Sequence, residues 1–152
     1  MGALNTLSAV EAARQIAAGK IKSEALVRDC LERIAAREGE VQAWEHIDEA
    51  AALAQARAAD SNPGRGLLQG VPVGVKDLID TLDMPTGYGS PVYAGHRPAW
   101  DAPCVALTRA TGGIVLGPGE PQLAHQTDEY CLVDCIEQAA DIYVELIKDW
   151  SS

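Results

Sequence analysis

A lysine beside an aspartate, at the end of an alternating apolar segment, is the pair of residues in this sequence with the clearest capacity for chemistry. Lys76 and Asp77 close the octapeptide Gly-Val-Pro-Val-Gly-Val-Lys-Asp at residues 70–77. An unprotonated lysine amine can accept a proton from a hydroxyl group, and burial favours that form because desolvation penalises the ammonium. From the spacing alone, however, Lys76 is expected to be an ordinary solvated strand lysine that pairs with Asp77 or Asp80.

Serine and histidine residues elsewhere in the sequence give weaker candidates. Ser90 lies in a loop rich in Gly and Pro, where a serine normally bonds its own backbone. His46 and His96 lie close to tryptophans, and no nearby residue would make either of them a catalytic base. We therefore expect Ser90 to be a turn residue and both histidines to be surface or loop residues.

The remaining motifs predict neither a metal site nor a cofactor. The four cysteines include no Cys-x-x-Cys pair, which disfavours a zinc ribbon or a thioredoxin-type site. Cys131 and Cys135 are four residues apart with His125 nearby, but two thiols and one histidine near a helix start are more typical of packing than of a metal site. The glycine-rich stretches lack the spacing of a phosphate loop or a dinucleotide fingerprint.

Three helices are predicted before the lysine strand. Ser8 begins a Ser-x-x-Glu capping box, which predicts a helix from there to Gly19. Ser23 is the expected cap of a second helix, whose apolar residues recur at helical spacing and which Gly39 is expected to end. An Ala-rich segment at about 48–59 predicts the third helix.

The lysine strand is followed by a loop, a helix and a second strand. Apolar residues alternate through residues 71–78, and Gly and Pro at close intervals in residues 80–91 exclude regular structure there. Residues 101–110 indicate a helix and residues 114–116 a buried strand, an order typical of a parallel βαβ unit. The predicted fold class is α/β, with N-terminal helices, a short parallel strand pair with a crossover helix, and a C-terminal amphipathic helix at about 134–150.

The octapeptide at residues 70–77 resembles the catalytic-lysine strand of the amidase signature enzymes. The likeness extends to the leading helix pair, to the loop Met-Pro-Thr-Gly-Tyr-Gly-Ser-Pro, to Asp101 and to Val-Leu-Gly at residues 115–117. It covers residues 1 to about 117. The resemblance implies a partial α/β domain from an enzyme that hydrolyses carboxamides.

In that family, a nucleophilic serine, a serine preceded by a cis peptide and a lysine form the catalytic triad, and the resemblance assigns the lysine to Lys76. The family continues after its Leu-Gly with Lys-Thr and then a Gly/Ser-rich loop that holds both serines. Here Pro118 follows Gly117, and no Gly-Ser-Ser-Gly-like stretch occurs. Without that loop and its oxyanion hole, we expect the chain alone to be inactive toward a small amide substrate.

The composition changes at Gly117. Residues 1–117 contain 11 basic and 14 acidic residues, whereas residues 118–152 contain one basic and eight acidic residues. From Gly117 through His125 to the last helix, the sequence is similar to the extreme C-terminus of zinc-dependent deacylases and aminopeptidases, in which the histidine is a metal ligand. The other ligands of that family have no counterpart here, so we predict a separate acidic tail without a metal.

Charge restricts the partners of the chain. Its 152 residues include 12 Lys plus Arg and 22 Asp plus Glu, a formal charge of −10. Such a chain is repelled by nucleic acid and by anionic membranes. The N-terminus lacks the features of a signal peptide and the apolar stretches are too short to span a bilayer, which predicts a cytoplasmic protein.

Two alternatives to the hydrolase fragment remain open. The first is a small non-catalytic interaction module whose helices dock on a protein partner or on a second copy of the chain. Its support is the apolar stripe of the C-terminal helix, which contains Ile136, Tyr143, Ile147 and Trp150. The second is a chimera or truncation in which two fragments were never jointly optimised, so that local signals are good and global packing is poor.

Overall fold

The computed structural model describes residues 3–62, 64 and 66–119. The first described element is a 3₁₀ turn at Leu4–Thr6. The elements that follow are α1 Ala9–Ala17, α2 Ser23–Val41, α3 Glu49–Ser61, β1 Pro72–Lys76, a 3₁₀ turn at Pro91–Tyr93, α4 Pro103–Ala110 and β2 Ile114–Gly119. The predicted C-terminal helix lies outside the described residues, as do His125, Cys131 and Cys135.

The two strands pair in parallel, with α4 as the connection between them. Gly74 lies opposite Leu116, and the register then shifts so that Val75 pairs with Pro118. Gly117 is therefore the extra residue of a bulge in β2. This arrangement confirms the predicted α/β fold class, with N-terminal helices and a parallel strand pair joined by a crossover helix.

Helices cover both faces of the strand pair. On one face, Ile114 and Leu116 pack against apolar residues of α2 and α3, namely Val27, Leu31, Ala52 and Ala56. On the other face, Val75 and Val115 pack against Val105 of α4 and Met84. A strand that is covered on both faces reads as a nearly continuous apolar run, as Ile-Val-Leu does in β2.

Helix α1 begins with half of the predicted capping box. The Ser8 hydroxyl accepts a bond from the N–H of Glu11 at 3.2 Å. The Glu11 carboxylate, however, accepts bonds from Arg14 and Gln15 rather than returning to the Ser8 N–H. The bonds from Arg14 are charge-assisted and therefore stronger than a bond from one backbone N–H. Together with the bond from Gln15, they lower the pKa of Glu11 to about 2.

The start of α2 differs from the prediction. Ser23 is the first residue of the helix rather than its cap, and its hydroxyl donates to the carbonyl of Gly70 at 2.7 Å. The Asp60 carboxylate, from the end of α3, accepts bonds from the N–H groups of Ser23 and Glu24 at 2.8 and 3.0 Å. A carboxylate at this position satisfies two unpaired donors and interacts favourably with the helix dipole.

Two glycines show that the surrounding backbone decides where glycine is required. Gly39 does not end α2, which continues to Val41 and is followed by Gln42 in the left-handed region, with φ 50°. A Cβ at Gly39 would meet nothing within 4 Å. A Cβ at Gly117, in contrast, would overlap the carbonyl oxygen of His46. The bulge in β2 therefore requires glycine because another backbone segment crosses it.

Candidate active site

Lys76 is the last residue of β1, and its side chain is exposed. The chain turns directly after it, where the N–H of Ile79 donates to the Lys76 carbonyl at 3.0 Å. The carboxyl ends of parallel strands are the usual location of ligand sites in open α/β sheets. A lysine used as a base is normally desolvated, and the described part of the chain does not enclose this one.

The sequence allowed Lys76 to form an ion pair with Asp77 or Asp80, but both carboxylates have other partners. Asp77 holds the loop that follows β1. Asp77 is only 2% exposed, and its Oδ1 accepts a bond from the N–H of Gly87 at 2.8 Å. Its backbone carbonyl accepts from the N–H of Tyr88 at 2.9 Å. A Cβ on Gly87 would lie 2.8 Å from Asp77 Oδ2, so glycine is required at this close approach.

Tyr88 forms a second attachment between the loop and the end of the strand. Its hydroxyl donates to Asp80 Oδ1, and this bond raises the pKa of Tyr88 to about 12. Its ring centroid lies 4.9 Å from that of Tyr93 and 5.8 Å from that of His96. The backbone of Tyr88 has φ 54°, which is uncommon for a residue other than glycine. Such strain persists where the surroundings over-determine it, and it concentrates at functional sites.

The other residues singled out from the sequence have backbone roles. The Ser90 N–H donates to the carbonyl of Gly87 at 3.0 Å, so Ser90 is the turn residue that we expected. His96 is exposed, and its carbonyl accepts from the N–H of Thr86 at 3.0 Å. Both residues belong to the loop that starts at Asp77, whereas His46 lies on the segment that crosses β2.

Thr86 is a buried polar residue that sequence analysis missed. It has no exposed surface, and its hydroxyl has no hydrogen-bond partner among the described residues. Buried hydroxyl groups in folded proteins nearly always have a partner, so an unpaired one requires an explanation. Thr86 precedes Gly87, the residue bonded to Asp77, and this places the unpaired hydroxyl in the loop beside Lys76.

Arg109 connects α4 to the same loop. Its Nη2 lies 2.6 Å from Asp83 Oδ1, and its Nε lies 3.1 Å from Asp101 Oδ2, out of line for a hydrogen bond. The other oxygen of Asp101 accepts from the N–H of Leu82 at 2.8 Å. Asp101 was expected to begin α4, but the helix begins at Pro103 and Asp101 holds the loop instead. These pairs join residues far apart in sequence, so no local pattern predicts them.

No metal centre or membrane segment is found in residues 3–62, 64 and 66–119. Within them, no three His, Cys, Asp or Glu side chains converge on one point, and no helix is long and apolar enough to cross a bilayer. An open groove of about 750 Å³ is lined by α2 and the end of α3 rather than by Lys76. Its Glu24 already pairs with Arg28 and Arg57, which is typical of a solvated surface.

Comparison with known sequences agrees with this arrangement. The family model described as Amidase matches residues 25–122, more than half of the chain. One subunit of the glutamyl-tRNA(Gln) amidotransferase from Chloroflexus aggregans is 39% identical over 121 residues, which cover 77% of this chain and 25% of that protein. The corresponding subunit from Salinispora arenicola is 40% identical over 118 residues, which cover 75% and 24%. The chain thus spans about a quarter of the length of these curated relatives.

Comparison with solved structures also finds proteins with amidase-type folds. Peptide amidase from Stenotrophomonas maltophilia superposes with a TM-score of 0.69 and 30% identity, over 75% of this chain and 24% of that one. A vestigial protein complex linked to the origins of an s-triazine catabolic enzyme contains a chain with a TM-score of 0.70 and 27% identity, over 75% and 26%. Fatty acid amide hydrolase, at 21% identity and a TM-score of 0.75 over 86% and 24%, shares the fold. The chain therefore belongs to the amidase family.

Proposed function

We propose that this chain supplies the lysine-bearing segment of an enzyme that hydrolyses carboxamide C–N bonds, with Lys76 as the catalytic lysine. The observation that carries the proposal is the position of Lys76 at the carboxyl end of β1, inside the segment matched by the family. Several relatives have amide chemistry in their names, including peptide amidase. The substrate class that follows is a small amide, and residues 1–117 form the partial amidase domain.

The role of Lys76 in such a reaction is to move a proton. When a serine hydroxyl attacks the amide carbon, a C–O bond forms, the hydroxyl loses its proton, and the leaving amine must gain one as the C–N bond breaks. A neutral Lys76 amine would accept the first proton through a bridging hydroxyl, and the same path would return a proton to the leaving amine. Because Lys76 is exposed here, the desolvation that keeps it neutral must come from further polypeptide laid over it.

The 152 residues by themselves are expected to lack covalent catalysis. They include no Gly/Ser-rich loop after Gly117, and Ser90 is bonded into a turn. Without a nucleophile and oxyanion donors, Lys76 has no group to serve. Ammonia release from primary amides by the purified chain tests this part. Release that disappears in Lys76→Met would show that the chain is complete as a catalyst and would overturn the expectation.

A single-chain exchange tests the assignment of Lys76. Residues 1–122 replace the matching segment of the Stenotrophomonas maltophilia peptide amidase, and ammonia release from a peptide amide is measured. Loss of a positioned proton-transfer group typically costs about 10²–10⁴-fold in rate, so Lys76→Met should lower kcat by that factor. Lys20→Met, at an exposed lysine after α1, is the matched control and should leave kcat unchanged. Equal rates for both variants would contradict the assignment.

A non-catalytic interaction module is the second candidate function. The support is that the relatives include one subunit of an amidotransferase and a chain of a protein complex, so that a protein partner fits the family. Size-exclusion chromatography of the purified chain tests self-association, because a clean monomer leaves only docking on a different protein.

The C-terminal helix, the zinc-deacylase resemblance around His125 and the cytoplasmic location stay predictions, as does the chimeric origin.

A further inference from the structure

We infer that Tyr88 is a positioning residue for the proposed catalytic lysine, because its hydroxyl holds the Asp80 carboxylate away from the Lys76 amine. The inference rests on the proposed function, since a lysine that accepts a proton must be free of an ion pair, which would stabilise the ammonium. It starts from the two carboxylates that follow Lys76 most closely in the chain.

The turn after β1 keeps Asp80 close to Lys76. The N–H of Ile79 donates to the Lys76 carbonyl at 3.0 Å, as in a β-turn, which brings the Cα atoms of its first and last residues within about 7 Å. Asp80 comes directly after this turn, and its own carbonyl accepts from the N–H of Ala102 at 2.9 Å. A lysine amine on its flexible four-carbon stem can reach a carboxylate in that position.

Of the two carboxylates, only that of Asp80 could be released to pair with the lysine. Asp77 is buried, and its Oδ1 accepts from the N–H of Gly87 at 2.8 Å. Asp80 is half-buried, and its Oδ1 accepts from the Tyr88 hydroxyl. Within the part of the chain that the structure describes, Lys76 takes part in no ion pair. The bond from Tyr88 is therefore what occupies the Asp80 carboxylate.

Tyr88 is held in place by its backbone and by its ring. Its N–H donates to the carbonyl of Asp77 at 2.9 Å, with the backbone in the left-handed region at φ 54°. Its ring packs against Tyr93 and His96, with centroids 4.9 and 5.8 Å away. Because the bond to Asp80 raises the pKa of Tyr88 to about 12, its hydroxyl still donates at the pH where an ordinary lysine loses its proton.

The other titratable groups on neighbouring segments do not replace Asp80 in this role. They are four carboxylates and two histidines, namely Glu45, Asp48, Asp83, Asp101, His46 and His96. Glu45 is exposed to solvent, Asp48 caps α3, and the other two carboxylates lie beside Arg109. A histidine carries no negative charge that could pair with an ammonium. Asp80 is therefore the acid that the loss of one hydroxyl would release.

The first test is competitive acetylation of the purified chain with a trace of acetic anhydride, measured at each lysine by mass spectrometry. Only a neutral amine reacts with the anhydride, so an ion pair slows the labelling. A surface ion pair of ordinary strength changes a protonation equilibrium about twofold to fivefold. Tyr88→Phe should slow the labelling of Lys76 by that factor, relative to Lys20 in the same chain.

Three variants are the controls for this measurement. Tyr88→Phe combined with Asp80→Asn should label at the parent rate, because no carboxylate remains to pair with Lys76. Tyr93→Phe removes the neighbouring hydroxyl of the same aromatic cluster and should leave the labelling unchanged. Asp80→Asn alone should also leave it unchanged, because the carboxylate is already withheld. This last variant tests the inference even if Tyr88→Phe does not fold.

The second test follows kcat/KM against pH in the single-chain exchange with peptide amidase. Activity rises with pH as the proton acceptor loses its proton. Tyr88→Phe should move this rise to higher pH by about half a pH unit, which corresponds to roughly threefold in the protonation equilibrium. The addition of Asp80→Asn should move it back, whereas a loss of structure alone would not be reversed by removing the carboxylate.

Four results would overturn the inference. These are labelling of Lys76 that Tyr88→Phe leaves unchanged or makes faster, slow labelling that Asp80→Asn does not restore, faster labelling in Asp80→Asn alone, and an unmoved pH profile in an exchanged enzyme that depends on Lys76.

The proposed function can fail separately. The expected labelling pattern, with equal kcat for Lys76→Met and Lys20→Met, would contradict the catalytic role and leave the effect of Tyr88 on the Lys76 amine intact. A large loss of kcat in Lys76→Met, with labelling that Tyr88→Phe leaves unchanged, would do the opposite.

Discussion

Replacement of Asp77 by alanine tests how the loop beside Lys76 is held in place. Asp77 is almost completely buried and its Oδ1 accepts one hydrogen bond, from the N–H of Gly87 at 2.8 Å. The substitution removes that acceptor and leaves the N–H of Gly87 without a partner. We expect the loop to detach from the end of β1 before the rest of the fold is affected.

The expected magnitude combines the loss of a hydrogen bond with a partial offset. A hydrogen bond to a charged group contributes about 1.5–3 kcal/mol, and an unpaired buried donor costs about 1–3 kcal/mol. Removing a buried carboxylate also removes its desolvation penalty, which offsets part of this loss. We therefore expect Asp77→Ala to lower the free energy of unfolding by about 2 kcal/mol. Asp77→Asn keeps an oxygen acceptor and should lower it by about 1 kcal/mol or less.

Equilibrium unfolding in urea, followed by tryptophan fluorescence, measures both variants. With a slope of about 1–3 kcal/mol per molar urea, a loss of about 2 kcal/mol moves the midpoint by roughly 1 M. Trp44 reports on the sheet, because its ring packs over Gly74. An Asp77→Ala midpoint equal to that of the parent, or equal losses in the alanine and asparagine variants, would show that the bond from Gly87 to Asp77 does not hold the loop.

Three further predictions concern a glycine pair and two titrating groups. Gly117→Ala should prevent folding because its Cβ meets a backbone carbonyl, whereas Gly39→Ala should stabilise α2 by about 0.5–1 kcal/mol, both measured by urea unfolding. The pKa of Glu11 is lowered to about 2, so its contribution to stability is present above pH 4.5 and is lost as the pH falls toward 2; a pH series of urea midpoints should show this loss in the parent. The pKa of Tyr88 is raised to about 12, so the stability it contributes through Asp80 is present below pH 10 and is lost as the pH rises through 12, and tyrosinate absorbance should show this late ionisation.

Each of these predictions has a control. A folded Gly117→Ala variant with an unchanged midpoint would contradict the close approach at the bulge. The urea midpoint of Glu11→Gln should decline less in acid than that of the parent. Identical declines would show that Glu11 does not cause the loss of stability. Tyr88→Phe should lack the late-ionising tyrosine, and an unchanged absorbance titration would assign the late ionisation to another residue.

Local sequence patterns predicted most of the elements because each depends on residues close together in the chain. The Ser8 hydroxyl caps α1, alternation marks β1, and the Ala-rich segment forms α3. The parallel pairing followed from the strand, helix, strand order. Both strands and the connecting helix needed no information from distant residues.

Long-range pairs account for what the sequence could not show. The carboxylate of Asp60 caps α2, which starts 37 residues earlier. The local pattern favours Ser23 as that cap, but Ser23 is the first residue of the helix. The close approach at Gly117 depends on a segment from much earlier in the chain. At the site, the strand position of Lys76 was predicted, but its exposure was not, because burial depends on which layers pack over the strand.

The proposed catalytic role of Lys76 can be measured as the ratio of ammonia-release rates for Lys20→Met and Lys76→Met in the single-chain exchange with peptide amidase. A ratio of about 10²–10⁴ is expected if the Lys76 amine takes part in proton transfer during amide cleavage and Lys20 does not. A ratio near one, in an exchanged enzyme that folds and turns over, would contradict that role.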